Sequence, residues 1–337
     1  MDKKALHSQS SEAKPSLTKR GGRLRRIFVG NNGIRAGWGA LLFAAIFVGV
    51  DAGLVFIARH FLQPPADDHI LSPTNGLLTE CINLCAVTVA TAILAAIERR
   101  SLFFFGLQGS ARGIRFLSGA TVGFAAISVL VLLLWRAGLL QVDASTAHDG
   151  QAWKYAAIWA IVFGMTGVFE ESLLRGYLQY TLARGMGFWR AAVLLSLLFG
   201  AMHGVSPGET PVGILTATLF GLILCMTLWY TGSLWWAIGF HAAWDWGESA
   251  VYGTSDSGRL MENALFTSRP LGNVLLSGGT TGPEGSLLIL PFMVVMAILI
   301  WARWGWNSSS SFAHCGLDGG WTLGKTMPQR RRWTPPR

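Results

Sequence analysis

Three short stretches of this chain set ionisable side chains among apolar ones. They are Phe169-Glu170-Glu171-Ser172-Leu173-Leu174-Arg175, Phe199-Gly200-Ala201-Met202-His203 and Phe240-His241-Ala242-Ala243-Trp244-Asp245. On a helix Glu171 and Arg175 stand at i and i+4, share a face and can pair. Glu170 lies about 100° around the same helix and is left over. An Arg that neutralises one Glu leaves the other able to serve as a base. His241 and Asp245 also share a face, so the Asp can orient the ring and fix its tautomer. His203 stands at a helix end beside Gly200, Ala201 and Gly204, small residues that let another helix approach closely. Two His with carboxylates are the ingredients for activating a water molecule. Glu170, His203, His241 and Asp245 are equally a plausible set of ligands for a divalent metal such as zinc. Spacing does not separate these two readings.

The elements that must position these residues are membrane helices. The chain has 337 residues, 51% hydrophobic and only 13% charged, with a mean hydropathy of +0.42. Soluble domains carry about 25% charged residues, so this composition cannot cover a water-facing surface. A helix needs about 20 mostly apolar residues to cross a bilayer. Eight such runs are expected, near 37–61, 76–97, 114–140, 153–183, 188–204, 211–231, 233–253 and 285–305. The fold class is therefore all-α, a polytopic membrane bundle of about eight helices joined by short connections. Charged groups inside such helices are costly and usually functional, and three clusters on near-successive helices suggest one interior site. Asp51, Arg59, Glu80 and Asn83 read as structural residues that hydrogen-bond within the bundle or snorkel. Glu248, one turn beyond Asp245, reads as facing water at the outer end.

Charge sets the orientation. The net charge is +9, and the basic residues crowd both ends of the sequence. With the N-terminus in the cytoplasm, the inside loops hold Arg99, Arg100, Arg112 and Arg184. The outside loops hold Asp67, Asp68, Asp143, Asp149 and Glu209, with basic residues only at Arg259 and Arg269. This is the positive-inside pattern, and an even number of spans returns the basic tail to the cytoplasm. Nucleic-acid binding is not expected. The organisation is a basic tail over 1–35, a helical domain over 36–306 with the chemistry within about 150–255, and a second basic tail over 307–337. Cys81, Cys85, Cys225 and Cys315 show neither zinc-ligand spacing nor a disulfide framework, and read as small packing residues.

The order Glu-Glu-x-x-x-Arg, Phe-x-x-x-His and His-x-x-x-Asn/Asp resembles the CAAX protease and bacteriocin-processing family, which includes the Rce1-type prenyl-protein endopeptidases. The resemblance covers roughly residues 150–255. It implies an eight-helix intramembrane endopeptidase acting on a membrane-associated peptide or protein within the lipid bilayer, in keeping with a bacterial inner membrane. By resemblance Glu170 and His203 hold and activate water, His241 and Asp245 stabilise the oxyanion, and Glu171, Arg175 and Phe199 support them. One position departs from the pattern. Well-studied prenyl-protein endopeptidases have Asn at the last motif position, and Asp245 donates a hydrogen bond only when protonated. The resemblance implies no certain cofactor. Two other readings stand beside it: a non-proteolytic partner-binding or bacteriocin-immunity protein on the same scaffold, and a transporter whose polar residues line a pathway. Internal repeats would support a transporter, and none is visible.

Overall fold

The computed structural model describes residues 28–30, 33–60, 70–144, 151–305 and 312; most of the proposed tails, 1–35 and 307–337, lies outside them. All eight apolar runs form helices. In chain order these are α1 (Ala36–Arg59), α2 (Pro73–Ile97), α3 (Arg112–Arg136), α4 (Gln151–Glu171), α5 (Gln179–Met186), α6 (Phe188–His203), α7 (Pro211–Thr231), α8 (Trp235–Asp245) and α9 (Ile289–Ile300). The run expected over 153–183 is two α-helices, α4 and α5, joined by a π-helical stretch at Ser172–Leu178. A second π-helical stretch, Trp246–Val251, extends α8.

The protein is an all-α polytopic membrane bundle. Five helical stretches are long and apolar enough to cross a bilayer: α1, α2, α3, the continuous Gln151–Met186 stretch and α7. The others are shorter than the sequence suggests. The α6 helix has only 16 residues, or roughly 24 Å at the α-helical rise, so its end at His203 falls short of a full crossing. Outward faces are greasy, as lipid contact requires. Of α1 only Gly39 and Phe43 are buried, while Leu41, Val48 and Phe56 are 59% exposed or more. Cys81 and Cys85 are also exposed, which corrects their reading as packing residues; Cys225 is buried.

Helices in lipid gain little from the hydrophobic effect and must approach closely to gain contact. Glycine supplies that approach between α3 and α8. A Cβ at Gly119 would collide with the Trp236 carbonyl, at Gly123 with the Phe240 carbonyl, and at Gly239 with the Phe116 carbonyl. Between α6 and α7, a Cβ at Gly200 would strike Thr218 Oγ1, the close packing that the small residues beside His203 suggest.

Short strands lie between the helices. They are β1 (Ile70–Leu71), β2 (Leu140–Ala144), β3 (Leu260–Met261) and β4 (Phe266–Pro270). β1 pairs in parallel with β3, and β2 pairs antiparallel with β4. The segment from Thr254 to Leu288 thereby folds back over the bundle. Thr281 donates to Glu209 Oε1 at 3.0 Å, Thr280 to the Gly208 carbonyl at 2.7 Å, and Trp159 to the Glu262 carbonyl at 2.9 Å. Gly258 is required at its turn: its φ is +85°, and a Cβ would meet the Pro207 carbonyl.

Replacing Gly123 by Ala is expected to destabilise the bundle by about 1–3 kcal/mol, the usual cost of overpacking. Gly164, with nothing within 4 Å of its would-be Cβ, should accept Ala without loss. Thermal unfolding in detergent compares the two, and equal melting temperatures would contradict this packing.

Candidate active site

Glu170 and Glu171 end α4 just before the helix widens into its π-helical stretch. A π-bulge re-aims side chains within a continuous helix and is frequent at functional sites. Arg175 lies inside it and turns back onto Glu171: Nη1 donates to Glu171 Oε1 at 2.5 Å, with the two side chains 1% and 0% exposed. Room for the guanidinium comes from α7. Gly221 has no Cβ to press on Arg175 Nη2, and its carbonyl accepts from Arg175 Nε at 3.3 Å. The Phe199 ring covers the guanidinium at 5.1 Å.

The same Glu171 oxygen lies 3.0 Å from His241 Nδ1. A carboxylate there accepts, so Nδ1 carries a proton and Nε2 faces the interior. Nε2 lies 3.5 Å from Glu170 Oε2 and 3.5 Å from Asp245 Oδ2. The i, i+4 spacing points to Asp245 as the group that sets the His241 tautomer; Glu171, on another helix, makes the shorter contact. His203 stands apart from this group. Its Nδ1 is 2.8 Å from the Phe199 carbonyl one turn back, which leaves Nε2 free to accept. Phe199 packs edge-on against both imidazoles, with ring centroids 4.4 Å from His203 and 6.1 Å from His241.

A cavity of about 230 Å³ connects these groups. Glu170, His203, His241, Asp245 and Phe199 line it; Glu171 and Arg175 do not. Glu170 is 23% exposed at the side chain, whereas Glu171 is fully buried. The two adjacent carboxylates are thus separated in the way the helix geometry requires, one committed to Arg175 and His241 and one open to the cavity.

Three further carboxyl groups reach the cavity: Glu80, Asp256 and Glu284. Glu80 was visible as a charge inside an apolar run; it hydrogen-bonds Asn83 and Thr166 within the bundle, as expected, and also lines the cavity wall. Asp256 and Glu284 sit in the folded-back segment and carry no sequence signal. The reading of Glu248 as water-facing is corrected. This side chain is fully buried, with Oε2 accepting from Trp244 Nε1 at 3.0 Å, because the π-helical extension of α8 turns inward beneath that segment. Asp51 and Arg59 do not reach the cavity. Among the described residues no group of three or more His, Cys, Asp and Glu side chains is disposed to hold a metal ion.

Fold and cavity together define an integral membrane protein with an acid- and histidine-lined interior site. Residues 152–247 match the family model for type II CAAX prenyl endopeptidase Rce1-like proteins. This central segment, under a third of the chain, carries α4 through α8 with all three motifs, and the resemblance read from those motifs holds there. No curated protein matches the chain.

The folded-back segment gives the site a pH signature. Burial, reinforced by the carboxylates of Asp256 and Glu209, pushes Glu284 from 4.5 up to about 8. A carboxyl raised on folding stabilises the fold below its unfolded value, and that contribution is lost as pH rises through the folded value. The melting temperature is therefore expected to fall between about pH 5 and pH 8.5. Glu284→Gln should flatten that decline, and a variant with an unchanged slope would refute the assignment.

Proposed function

We propose that the protein is an intramembrane endopeptidase that hydrolyses a peptide bond in a membrane-associated substrate. The observation that carries this reading is the division of labour between adjacent glutamates. Glu171 is locked by Arg175 and His241, while Glu170 opens to the cavity that His203 also lines. In this reading Glu170 is the general base for a water that His203 helps to hold. Attack on the scissile carbonyl moves the proton from water to Glu170 and then to the leaving amine. In this reading His241 is an imidazolium, with Nδ1–H on Glu171 and Nε2–H, beside Glu170 and Asp245, as the donor for the oxyanion, the kind of preorganised group that contributes most to such steps. Asp245 belongs to the same site: protonated, it adds a second donor beside Nε2. The mechanism uses Glu170 without an all-protein zinc cage; tightly bound stoichiometric zinc, lost together with activity on chelation, would overturn that part.

Glu170→Gln and His203→Ala are expected to lower cleavage by at least about 100-fold, the usual share of general acid–base catalysis, while the protein still inserts and folds. Full cleavage by either variant would remove the proposal. Asp245→Asn should retain activity and Asp245→Ala lose it, since the amide keeps a donor at that position. A physiological role that survives Glu170→Gln would instead favour the partner-binding or immunity reading.

The orientation follows from charge. Arg35, Arg99, Arg100, Arg112, Arg115, Arg184, Arg190 and Arg303 lie at or near helix ends on one side of the bundle. Asp143, Glu209, Asp256, Glu262 and Glu284 lie on the other, together with Arg59, Arg136, Lys154, Arg259 and Arg269, while Glu98 lies among the arginines of the first. The first end is cytoplasmic in this reading, with both termini on that side of a bacterial inner membrane. The cavity then reaches the outer loops through Ser206, Asp256 and Ser257. In a background without native cysteines, Val205→Cys, at a site 86% exposed, should react with an impermeant maleimide on intact cells and Arg112→Cys should not. The reverse pattern would invert the topology.

A further inference from the structure

Water activation needs fewer carboxyl groups than this cavity holds. Glu170 and Asp245 serve the hydrolytic step, yet Glu80, Asp256 and Glu284 line the same space. Against these five stand two imidazoles and Arg259, whose side chain is exposed. The acidic wall is also short of donors. Glu248 and Glu284 both accept from one indole N–H, that of Trp244, at 3.0 and 2.9 Å. Glu248 Oε1, fully buried, and Glu80 Oε2 have no hydrogen-bond partner. Buried carboxyl oxygens without donors cost free energy that a cation with its own N–H groups would recover. Among the described residues no group of three or more acidic, histidine or cysteine side chains converges in a geometry disposed to hold a metal ion. A cation on a flexible stem needs no such convergence.

We propose that the Asp256–Glu284 side of the cavity is a specificity subsite for a lysine or arginine side chain of the substrate, bound next to the scissile bond. This rests on the endopeptidase reading for the scissile bond but not for the binding. Asp256 and Glu284 are carried by the folded-back segment, at the mouth, and Glu248 stands behind them. An ammonium or guanidinium entering there meets Glu284, which shares one indole N–H with Glu248, and Asp256, whose Oδ2 accepts from Ser249 Oγ at a long 3.4 Å, and the acidic loops at that end of the bundle favour its approach. The same wall opposes a substrate group of like charge. A free C-terminal carboxylate is therefore disfavoured in this part of the cavity, and an internal site in a basic segment is preferred.

The test uses binding, so that it does not depend on hydrolysis. The full chain with Glu170→Gln is placed in phosphatidylcholine nanodiscs at pH 8.5, where Glu284 is ionised. Three blocked apolar peptides, identical except for a central Lys, norleucine or Glu, are titrated against it, with empty nanodiscs as the blank. The Lys peptide should bind at least about tenfold tighter than the norleucine peptide, as one charge-assisted contact would provide, and the Glu peptide should bind weakest. Adding Asp256→Asn and Glu284→Gln should bring Lys and norleucine to within about twofold. A Lys peptide that binds no tighter than norleucine in the parent overturns the proposal, and that comparison needs no loop variant to fold. So does a preference that survives both loop substitutions. Cleavage by the unsubstituted protein of any of these peptides bears on the endopeptidase reading alone.

Discussion

A buried carboxylate is stable in a membrane bundle only with partners that stay in place, and Glu171 has two. Arg175 reaches it from the next turn and His241 from another helix, so one oxygen ties α4 to α8. Removing one member of such a group leaves an uncompensated buried charge, a loss of about 3–5 kcal/mol in comparable pairs. Much of the local architecture serves this junction. The π-helical stretch carries Arg175, Gly221 leaves the space it fills, and Phe199 lies over its guanidinium. The chemistry assigned to Glu170 depends on that commitment, because only a neighbour already neutralised leaves Glu170 free to face the cavity.

The segment after α8 changes what the site is. Without it, the three motifs would describe a hydrophobic pocket with two His and a few carboxylates. With it, the pocket acquires Asp256 and Glu284, and Glu248 is sealed beneath. The segment is held by its strand pairing with β1 and β2, by hydrogen bonds to α4 and the α6–α7 connection, and by Met261 packed near Trp159, so it is a built part of the cavity wall.

Charge is used in two separate ways. At the helix ends the arginines near 99–115 and 184–190 gather on one side of the bundle, the asymmetry on which the proposed orientation rests. In the interior charge is counted against hydrogen-bond donors, and there the surplus of acid is the informative quantity. The first can be read from sequence order, because loops between spans alternate sides. The second requires knowing which carboxyl groups share a space.

The sequence by itself determined the spans, the fold class and the three motifs. Long apolar runs and helical i, i+4 spacing are local properties, and they place Glu171 with Arg175 and His241 with Asp245 without further information. The tertiary structure decided what those properties leave open. That Glu171 rather than Asp245 contacts His241 Nδ1 depends on how α4 and α8 cross, and Gly167 of α4 permits their close approach at Ile238 and Ala242. That Glu248 is buried depends on a π-helical turn and on a loop that folds back. That Cys81 and Cys85 face outward depends on which side of α2 meets its neighbours, and α2 has too little amphipathic contrast to show it. The carboxyl groups of Asp256 and Glu284 lie far along the chain from Glu170, and only folding brings them to one cavity.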